Sequence, residues 1–541
     1  MKIKKLKFLQ FLISQKPLKP FWDNENTRSR SNGDQNNEKL TASLEKNIKM
    51  LKSTLGESSD IVYHRFTMGT EGRPEAVLIM VDGIVDKNTV NNFVIKTLMI
   101  DSQVTNNKSG LYPNYTIDTI KNTLVSVGGI QEAVFLRDII DNILAGDTVL
   151  VINGFNIGLI ISTRGWKSRG IEQPETESGV RGPHDGFTET LRINTALIRR
   201  RIRNPALTFE SFIIGKRTKT DIAVVYLKGI VKPGLVEEIK KRLQRIDNDA
   251  ILESGYIEQF IEDAPLSPFS TIGNTERPDI VAAKLLEGRA AIITDGTPVI
   301  LTMPMIFLES FQAAEDYYSR PYYVSIVRAL RFLSFFISVF GPASFVALTS
   351  FHQELIPTPL LLTMAAAREG TPFPSVIEAT LMGIAFEILR EAGIRLPRPV
   401  GTAISIVGAL VIGDAVVSAG LIGAPMVIVV AITAIASFVV PPQADVGGIA
   451  RIILVFMAGF LGAFGIMIGL LGGLIHICAL RSFGTPYFSP FAPLKISDLK
   501  DTIVRFPLWA MLTRPSSMGW NNPVREDLGN MPAPPQKKKQ P

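Results

Sequence analysis

The chain has 541 residues, a formal net charge of +7 and a single cysteine, Cys478, and 46% of its residues are hydrophobic. This length predicts two or three folded units, and one cysteine excludes an intrachain disulfide and a multi-cysteine metal site. A positive chain would suit nucleic acid or an anionic membrane surface. Because apolar residues concentrate beyond residue 322, the sequence favours a membrane.

The first 39 residues predict a disordered polar arm. Residues 17–39 are rich in Asn, Ser, Asp, Lys and Arg and contain almost nothing to bury, which is the composition of a linker. The preceding basic segment has an apolar stretch of only about six residues and no small-residue cleavage site, so it does not match a secretory signal.

Residues 40–165 predict a first α/β subdomain. Apolar residues recur at intervals of three and four over residues 38–56, which indicates a helix with one apolar face. A strand pattern at residues 75–83 and the paired strand phrases DTVLVING and IGLIIST alternate with helical segments.

Residues 166–321 predict a second α/β subdomain. It contains a strand at 220–229, then a helix, and a hairpin at 288–302 that turns at Asp295 and Gly296. The strand phrases VLIMVDG and AVVYLKG are each followed by a turn and a helix, so the two subdomains look like distant internal repeats.

Residues 322–480 predict a helical membrane domain. Four stretches without Asp, Glu, Lys or Arg occur here, and a bilayer core needs roughly 20 apolar helical residues. The predicted helices lie near residues 328–350, 375–394, 401–422, 424–440 and 449–478. The fold class is therefore an α/β cytosolic N-terminal domain of two subdomains, followed by an all-α polytopic membrane domain.

The distribution of basic residues predicts the topology. Residues 481–541 predict a basic cytosolic C-terminal tail, and arginines flank the predicted spans. Two cytosolic ends require an even number of crossings. Because five helices are predicted, an even number requires either that one of them is re-entrant or that residues 355–367 also enter the membrane.

The sequence contains no motif of a known catalytic class. It has no GxxxxGK[ST], HExxH or GxSxG pattern and only four histidines, so we expect no enzyme, no metal and no cofactor. His184 and Asp185 resemble a metal-binding pair, but no second histidine lies near them in sequence. We expect Asp185 to cap a helix that begins near Thr188.

The arginine-rich phrase VRGPHDGFTETLRINTALIRRRIR at residues 180–203 predicts a turn and an amphipathic helix. Its exposed face would carry Arg192, Arg199 and Arg203. Few aromatic residues are interleaved, so we expect no nucleic acid. The favoured role is a cytosolic assembly surface that includes Arg181, Asp185, Arg192 and Arg199, with anionic lipid as another possible partner.

Ionisable residues within predicted membrane helices are functional candidates, because a charge at the bilayer centre is costly and usually faces protein or water. Asp414 is predicted to line a pore or make a polar interhelical contact; the alternative is a hydrogen bond that only fixes packing. The helix that carries Glu378, Glu387 and Glu391 is the other candidate to line a pore or make a polar membrane contact. Glu387 and Glu391 share one helix face, Arg390 can pair with Glu387, and Glu378 lies on the other side. The alternative for these glutamates is an interfacial amphipathic helix.

Three glycines at intervals of four, Gly465, Gly469 and Gly473, predict close helix packing. Small residues at this spacing let two helix backbones approach each other. The pattern fits packing within one subunit or between subunits.

Three long phrases carry a resemblance to a known family. They are SRGIEQPETESGVRGPHDGFTETLRINTALIRRRI, EGRAAIITDGTPVILTMPMIFLESFQAAEDYYSRPYY and IPTPLLLTMAAAREGTPFPSVIEATLMGIAFEILREAGIRLP. In these phrases the chain resembles the A subunits of the GerA-type spore germinant receptors of endospore-forming bacteria. The match spans roughly residues 40–515 in order.

The resemblance implies a multi-pass protein of the spore inner membrane with a cytosolic N-terminal domain. It implies a permease-like B subunit that binds the nutrient, a lipoprotein C subunit, and a homo-oligomer of A subunits that conducts cations. Alternatives are the A-subunit-like paralogue of the stage V sporulation operon and a non-conducting scaffold that clusters receptor complexes. The long polar arm favours the germinant receptor over that paralogue.

Overall fold

A computed structural model describes most of the chain, namely residues 38–68, 74–101, 117–123, 129–165, 174, 177, 181–395, 411–518, 522–526 and 531–532. The predicted polar arm lies outside the described residues apart from its last two, and so do residues 401–410 of the span predicted at 401–422. The chain divides into two compact units, Met1–Trp166 and Lys167–Pro541.

The first unit contains a five-stranded antiparallel sheet in the order β1-β2-β4-β5-β3, which leaves β1 at one edge. The strands are β1 Ile61–Thr67, β2 Glu75–Val81, β3 Ile130–Ala133, β4 Thr148–Ile152 and β5 Gly158–Ile161. The longer helices are α1 Leu44–Leu55, α2 Ile117–Thr123 and α3 Leu136–Ala145, and further helical segments form at Lys87–Thr89, Val90–Ile95 and Thr97–Asp101. Every residue of β4 is buried, which explains its continuous apolar sequence.

The α/β part of the second unit repeats this strand order. Its strands are β6 Leu207–Ile214, β7 Thr220–Leu227, β8 Gly273–Thr275, β9 Ala290–Thr294 and β10 Ile300–Met303, in the order β6-β7-β9-β10-β8. Its helices are α4 Leu191–Arg201, α5 Leu235–Leu243, α6 Ser254–Ile261 and α7 Pro278–Leu286. The phrases predicted as internal repeats occupy the same position, the second strand of each sheet.

The remainder of the second unit is mainly helical, so the predicted order of α/β sheets followed by helices is confirmed. Its longer helices are α8 Pro321–Ser350, α9 Thr358–Ala366, α10 Ser375–Arg395, α11 Ala424–Phe438, α12 Ala444–Leu461 and α13 Ala463–Ala479. Short helical turns also form at Val411–Ala415 and Val416–Ser418. Among the described residues, two helical segments are long and apolar enough to cross a membrane, Pro321–Ser350 and Pro441–Leu461.

The single helix predicted at residues 449–478 is wrong. The chain turns back at Gly462, where φ is +59° and ψ is −141°, and α12 and α13 form a hairpin. A Cβ atom at this position would lie 3.0 Å from the Cβ of Phe351. Glycine is required because other residues rarely adopt this backbone conformation and because the neighbouring chain approaches closely.

The helices run between two ends of the helical part. We call the end where α8 begins the near end and the end where α8 finishes the far end. Gly447 of α12 lies against Val339 of α8, and Gly462 lies against Phe351, so α8 and α12 run in the same direction. The α12–α13 hairpin then returns the chain to the near end, where His476 hydrogen-bonds Ser267 at 2.8 Å.

The prediction that residues 481–541 form a tail is wrong for residues 481–518, which pack onto the α/β part. The short strands β11 Arg481–Ser482 and β12 Thr485–Pro486 pair with each other, and the Ser482 hydroxyl donates to the Thr271 carbonyl at 2.6 Å. Tyr487 is fully buried beside Phe269 and Phe307. The sequence-based prediction missed this packing because it rested on the number of basic residues in the segment and not on its aromatic residues.

Candidate functional site

The helical part contains a buried carboxylate without a hydrogen-bond partner. Glu378, near the start of α10, is fully buried, and neither of its carboxylate oxygens accepts a hydrogen bond from a described residue. Arg368 Nη2 lies 3.8 Å from Glu378 Oε1, beyond hydrogen-bond distance. Because burying an incompletely paired charge is costly, this pair is a candidate for function rather than for stability.

A polar cavity of about 510 Å³ adjoins this pair. Its lining residues are Ala365, Ala366, Arg368, Glu369, Thr371 and Phe373. A Cβ atom on Gly423 would lie 2.9 Å from Arg368 Cγ, so the absence of a side chain at Gly423 gives the arginine room. The loop between α9 and α10 therefore carries charged groups at the surface of a cavity and, through Arg368, close to a buried carboxylate.

Glu387 connects two helices through ion pairs. Its Oε1 accepts a hydrogen bond from Arg451 of α12, and its Oε2 lies 3.0 Å from Arg390 Nη2. The predicted Glu387–Arg390 pair is confirmed. Arg451 is buried and was missed as a partner, because it lies 64 residues away in sequence. Glu391 belongs to a separate, exposed pair with Arg395 at 2.5 Å.

Asp414 lies in the helical turn Val411–Ala415 and is exposed in the single chain. Within the described part of the chain, no side chain donates a hydrogen bond to its carboxylate. The packing alternative stays a prediction, because residues 401–410, which precede this turn, lie outside the described residues. An exposed carboxylate in an apolar segment needs water or another subunit beside it.

Two of the three predicted packing glycines lie inside the α12–α13 hairpin. A Cβ atom at Gly465 would collide with the Met457 carbonyl oxygen, and one at Gly469 would collide with Leu454 Cδ2. Gly473 has no atom within 4 Å of its Cβ position. Gly465 and Gly469 therefore allow close packing within one chain, whereas Gly473 faces open space.

Arg199 does not belong to the predicted assembly surface, because it is fully buried. Its guanidinium donates to the carbonyls of Asn204 at 3.1 Å and Leu207 at 3.0 Å, and it stacks over the Phe209 ring. Helical periodicity placed it with exposed Arg192, but a guanidinium is tolerated in the interior when carbonyl oxygens accept its hydrogen bonds.

Asp185 does not cap the arginine-rich helix as predicted. The helix begins at Leu191, whose N–H donates to Asp295 Oδ1 at 2.9 Å. Asp185 instead forms a two-point ion pair with Arg201, with distances of 2.6 and 3.0 Å. Burial opposes ionisation of Asp185, but the hydrogen bonds and charge of Arg201 outweigh it and lower the pKa of Asp185.

Arg181 and His184 of the arginine-rich phrase are both exposed. The exposed Arg181 donates its main-chain N–H to Glu315 at 3.4 Å. His184 is exposed, and the carboxylate of Asp185 is ion-paired with Arg201. No group of three or more His, Cys, Asp or Glu residues that could hold a metal ion occurs among the residues that the structure describes.

A buried charge network at the near end was missed by the sequence-based prediction. Arg328 of α8 is fully buried and donates to Asp316 at 2.8 Å and to Asp501 at 2.7 Å. Tyr317 donates its hydroxyl to Asp501 Oδ2 at 2.6 Å. Burial and the charge of Asp501 both raise the pKa of Tyr317. Arg328 was interpreted only as a basic residue flanking a span, and its partners are too distant in sequence to be found by spacing.

Comparisons with known proteins give one consistent result. The family described as Bacillus/Clostridium GerA spore germination protein matches residues 49–517. Spore germination protein KA of Bacillus subtilis (strain 168) is 44% identical over 497 residues, which cover 92% of this chain and 90% of that protein. The membrane protein YfkQ of the same organism is 42% identical over 487 residues, which cover 89% and 93% of the two chains.

One solved structure is also similar. The crystal structure of the N-terminal domain of the A subunit of the Bacillus megaterium spore germinant receptor GerK3 is 38% identical, with a TM-score of 0.40. The match covers 50% of this chain and 98% of that one. The family match and the relatives confirm the resemblance seen in the sequence. The chain belongs to the GerA family of spore germination proteins, the A subunits of germinant receptors.

Proposed function

We propose that this chain is the membrane subunit of a nutrient germinant receptor and that its helical part, as a homo-oligomer, conducts cations when a nutrient binds. The observation that carries the proposal is the combination of apolar helices with the incompletely paired Glu378 and the exposed Asp414. In lipid alone both carboxylates would be costly. The cost would be avoided if both carboxylates lay beside water in a conducting assembly.

Insertion into a membrane is supported by the surface of the helices. Large apolar side chains are exposed along α8 to α13; examples are Leu333, Ile388, Ile435, Phe460 and Ile475. Exposed apolar area on this scale requires lipid or another protein surface. The name of the relative YfkQ, a membrane protein, agrees with this.

The near-end contacts support a topology with both soluble parts on one side of the membrane. Arg328 at the base of α8 binds Asp316, which precedes the first helix, and Asp501, which follows the last one. The chain therefore enters and leaves the helical part at the same end. We place this end on the cytosolic side of the spore inner membrane, and an even number of crossings follows.

The remaining site residues have roles in assembly under this proposal. Gly473 faces open space and would meet a helix of a neighbouring subunit. Exposed Arg181 and Arg192 would belong to the cytosolic assembly surface, and Asp185 would support it through Arg201. The permease-like B subunit would bind the nutrient, and the lipoprotein C subunit would complete the receptor.

Substitution of Asp414 in spores tests the proposal. We expect Asp414→Ala and Asp414→Lys to reduce nutrient-triggered cation release while the protein accumulates normally. Asp249→Asn, which removes an exposed carboxylate paired with Arg217 in the α/β part, is the matched control. Unchanged cation release at normal protein levels would remove Asp414 from the conduction path. A defined oligomer of this chain that gives no cation flux when reconstituted alone would favour the scaffold.

A further inference from the structure

A groove lies beside an unpaired sheet edge in the first unit. β1 is an edge strand, and no strand among the described residues pairs with its outer side. Helix α1 runs next to it, and the groove between them has a volume of about 580 Å³. Its lining residues are Glu45, Lys46, Ile48, Lys49, Lys52, Tyr63 and Arg65. This volume is within the range of about 300–1,000 Å³ that is usual for binding pockets.

The lining of the groove is strongly basic. Lys46, Lys49 and Lys52 are exposed and follow each other at intervals of three, so they lie on one side of α1. None of these lysines forms an ion pair with a described carboxylate. The acidic residue of the lining, Glu45, is already paired with Arg65. The groove therefore has uncompensated positive charge along its length.

Tyr63 adds a hydrogen-bond donor without a partner. Its hydroxyl is shielded from solvent and makes no hydrogen bond to a described residue. The Lys52 ammonium lies 5.3 Å from the centre of the Tyr63 ring. A tyrosine hydroxyl is protonated at neutral pH and can donate, and burial raises the pKa of Tyr63 further, to about 12.

We propose that this groove binds an extended acidic segment of a partner polypeptide, which adds to the free edge of β1 while its carboxylates contact the lysines of α1. Addition of a strand to an exposed edge is a common mode of peptide recognition, and unpaired edges that lack protection readily accept one. Complementary charge provides the selectivity and the register.

The dimensions favour a peptide over a small anion. Successive lysines are separated by about 4.5 Å along the helix axis, so the three extend over about 9 Å. Same-side residues of an extended strand are about 6.6 Å apart, so two carboxylates of one strand can reach different lysines. A single phosphate needs donors that converge on one point, whereas these lysines are spread along the helix. A bilayer needs a flat face, whereas these residues line a groove.

The N-terminal arm of this chain is a poor occupant. Residues 1–37 contain eight Lys or Arg against three Asp or Glu, so the arm has the same sign of charge as the groove. Electrostatic repulsion between like charges disfavours their association. The charge of the arm therefore favours an acidic segment of another polypeptide over the arm as the occupant.

The test uses the purified full-length chain in nanodiscs and a fluorescein-labelled peptide of eight residues in which Glu and Val alternate, followed by fluorescence anisotropy. We expect Lys49→Glu to weaken binding about tenfold and Tyr63→Phe to weaken it a few-fold. Lys241→Glu, an exposed lysine of α5, is the matched control and should leave binding unchanged. A peptide N-methylated at alternate amides should bind much more weakly, because it cannot pair with β1.

Three outcomes would overturn the proposal. Equal loss of binding in Lys49→Glu and Lys241→Glu would mean non-specific attraction. Full competition by inorganic pyrophosphate, together with unchanged binding of the N-methylated peptide, would indicate a small-anion site. Stronger binding to vesicles of phosphatidylglycerol than to the peptide, abolished by Lys49→Glu, would indicate a membrane contact.

Discussion

Arg328 Nη1 donates a hydrogen bond to Asp501 Oδ1 over 2.7 Å, although the two residues are 173 positions apart. Arg328 lies at the beginning of the helical part, and Asp501 belongs to the segment that follows it. Asp316 binds the same guanidinium from the other side, at 2.8 Å. The network therefore joins the entry and exit of the helical part to one point.

Removing the central cation of this network should destabilise the protein. In Arg328→Met, the buried Asp316 loses one of its two arginines and Asp501 loses its cation, and breaking a buried ion pair costs about 3 kcal/mol. Denaturant unfolding in detergent measures the change. Arg217→Met is the control, since its pair with Asp249 is exposed and should contribute little. Equal stability of the two variants would contradict a structural role of the network.

The Glu387–Arg451 pair should couple α10 to α12 energetically. A double-mutant cycle with Glu387→Gln and Arg451→Met should give a coupling free energy above about 1 kcal/mol, because the two residues are in direct contact and Arg451 is buried. The exposed Glu391–Arg395 pair, treated in the same way, should give less than about 0.5 kcal/mol. Similar coupling free energies for both pairs would show that the Glu387–Arg451 contact does not couple the two helices.

The ion pair between Asp185 and Arg201 should make the stability of the protein depend on pH. Its pKa is lowered in the folded protein, so its contribution is fully present above the ordinary carboxylate pKa of about 4 and is lost as the pH falls through the lower folded value. Asp185→Asn should therefore unfold more easily than the wild type at pH 7, and the difference should shrink in strongly acidic solution. Urea unfolding at several pH values measures this. A difference that grew with acidity would refute the assigned direction.

Gly462 should not tolerate a side chain. Gly462→Ala places a Cβ atom 3.0 Å from the Cβ of Phe351, in a backbone conformation that costs about 1–3 kcal/mol for other residues. Gly383→Ala in α10 is the matched control, since nothing lies within 4 Å of its Cβ position. Thermal unfolding compares the two. If the Gly462→Ala variant were as stable as the Gly383→Ala variant, the turn would have to adapt to a side chain.

The order of α/β sheets and helices was predictable because strand and helix periodicities are local properties of sequence. The two errors of element type, the continuous helix through Gly462 and the free tail beyond residue 480, depend on contacts between distant segments. The same reason explains why Arg451 was not recognised as the partner of Glu387. Local spacing also placed Arg199 on the surface, although carbonyl groups of the following loop satisfy it in the interior.

Efflux of K⁺ from liposomes that contain only this chain shows whether the helical part conducts cations. We expect efflux above that of protein-free liposomes, reduced about tenfold by Asp414→Lys because a cation in the path repels cations. Asp249→Asn, an exposed carboxylate of the α/β part, should leave the efflux unchanged. Efflux equal to that of protein-free liposomes, from a chain that is inserted and assembled, would contradict conduction by this subunit.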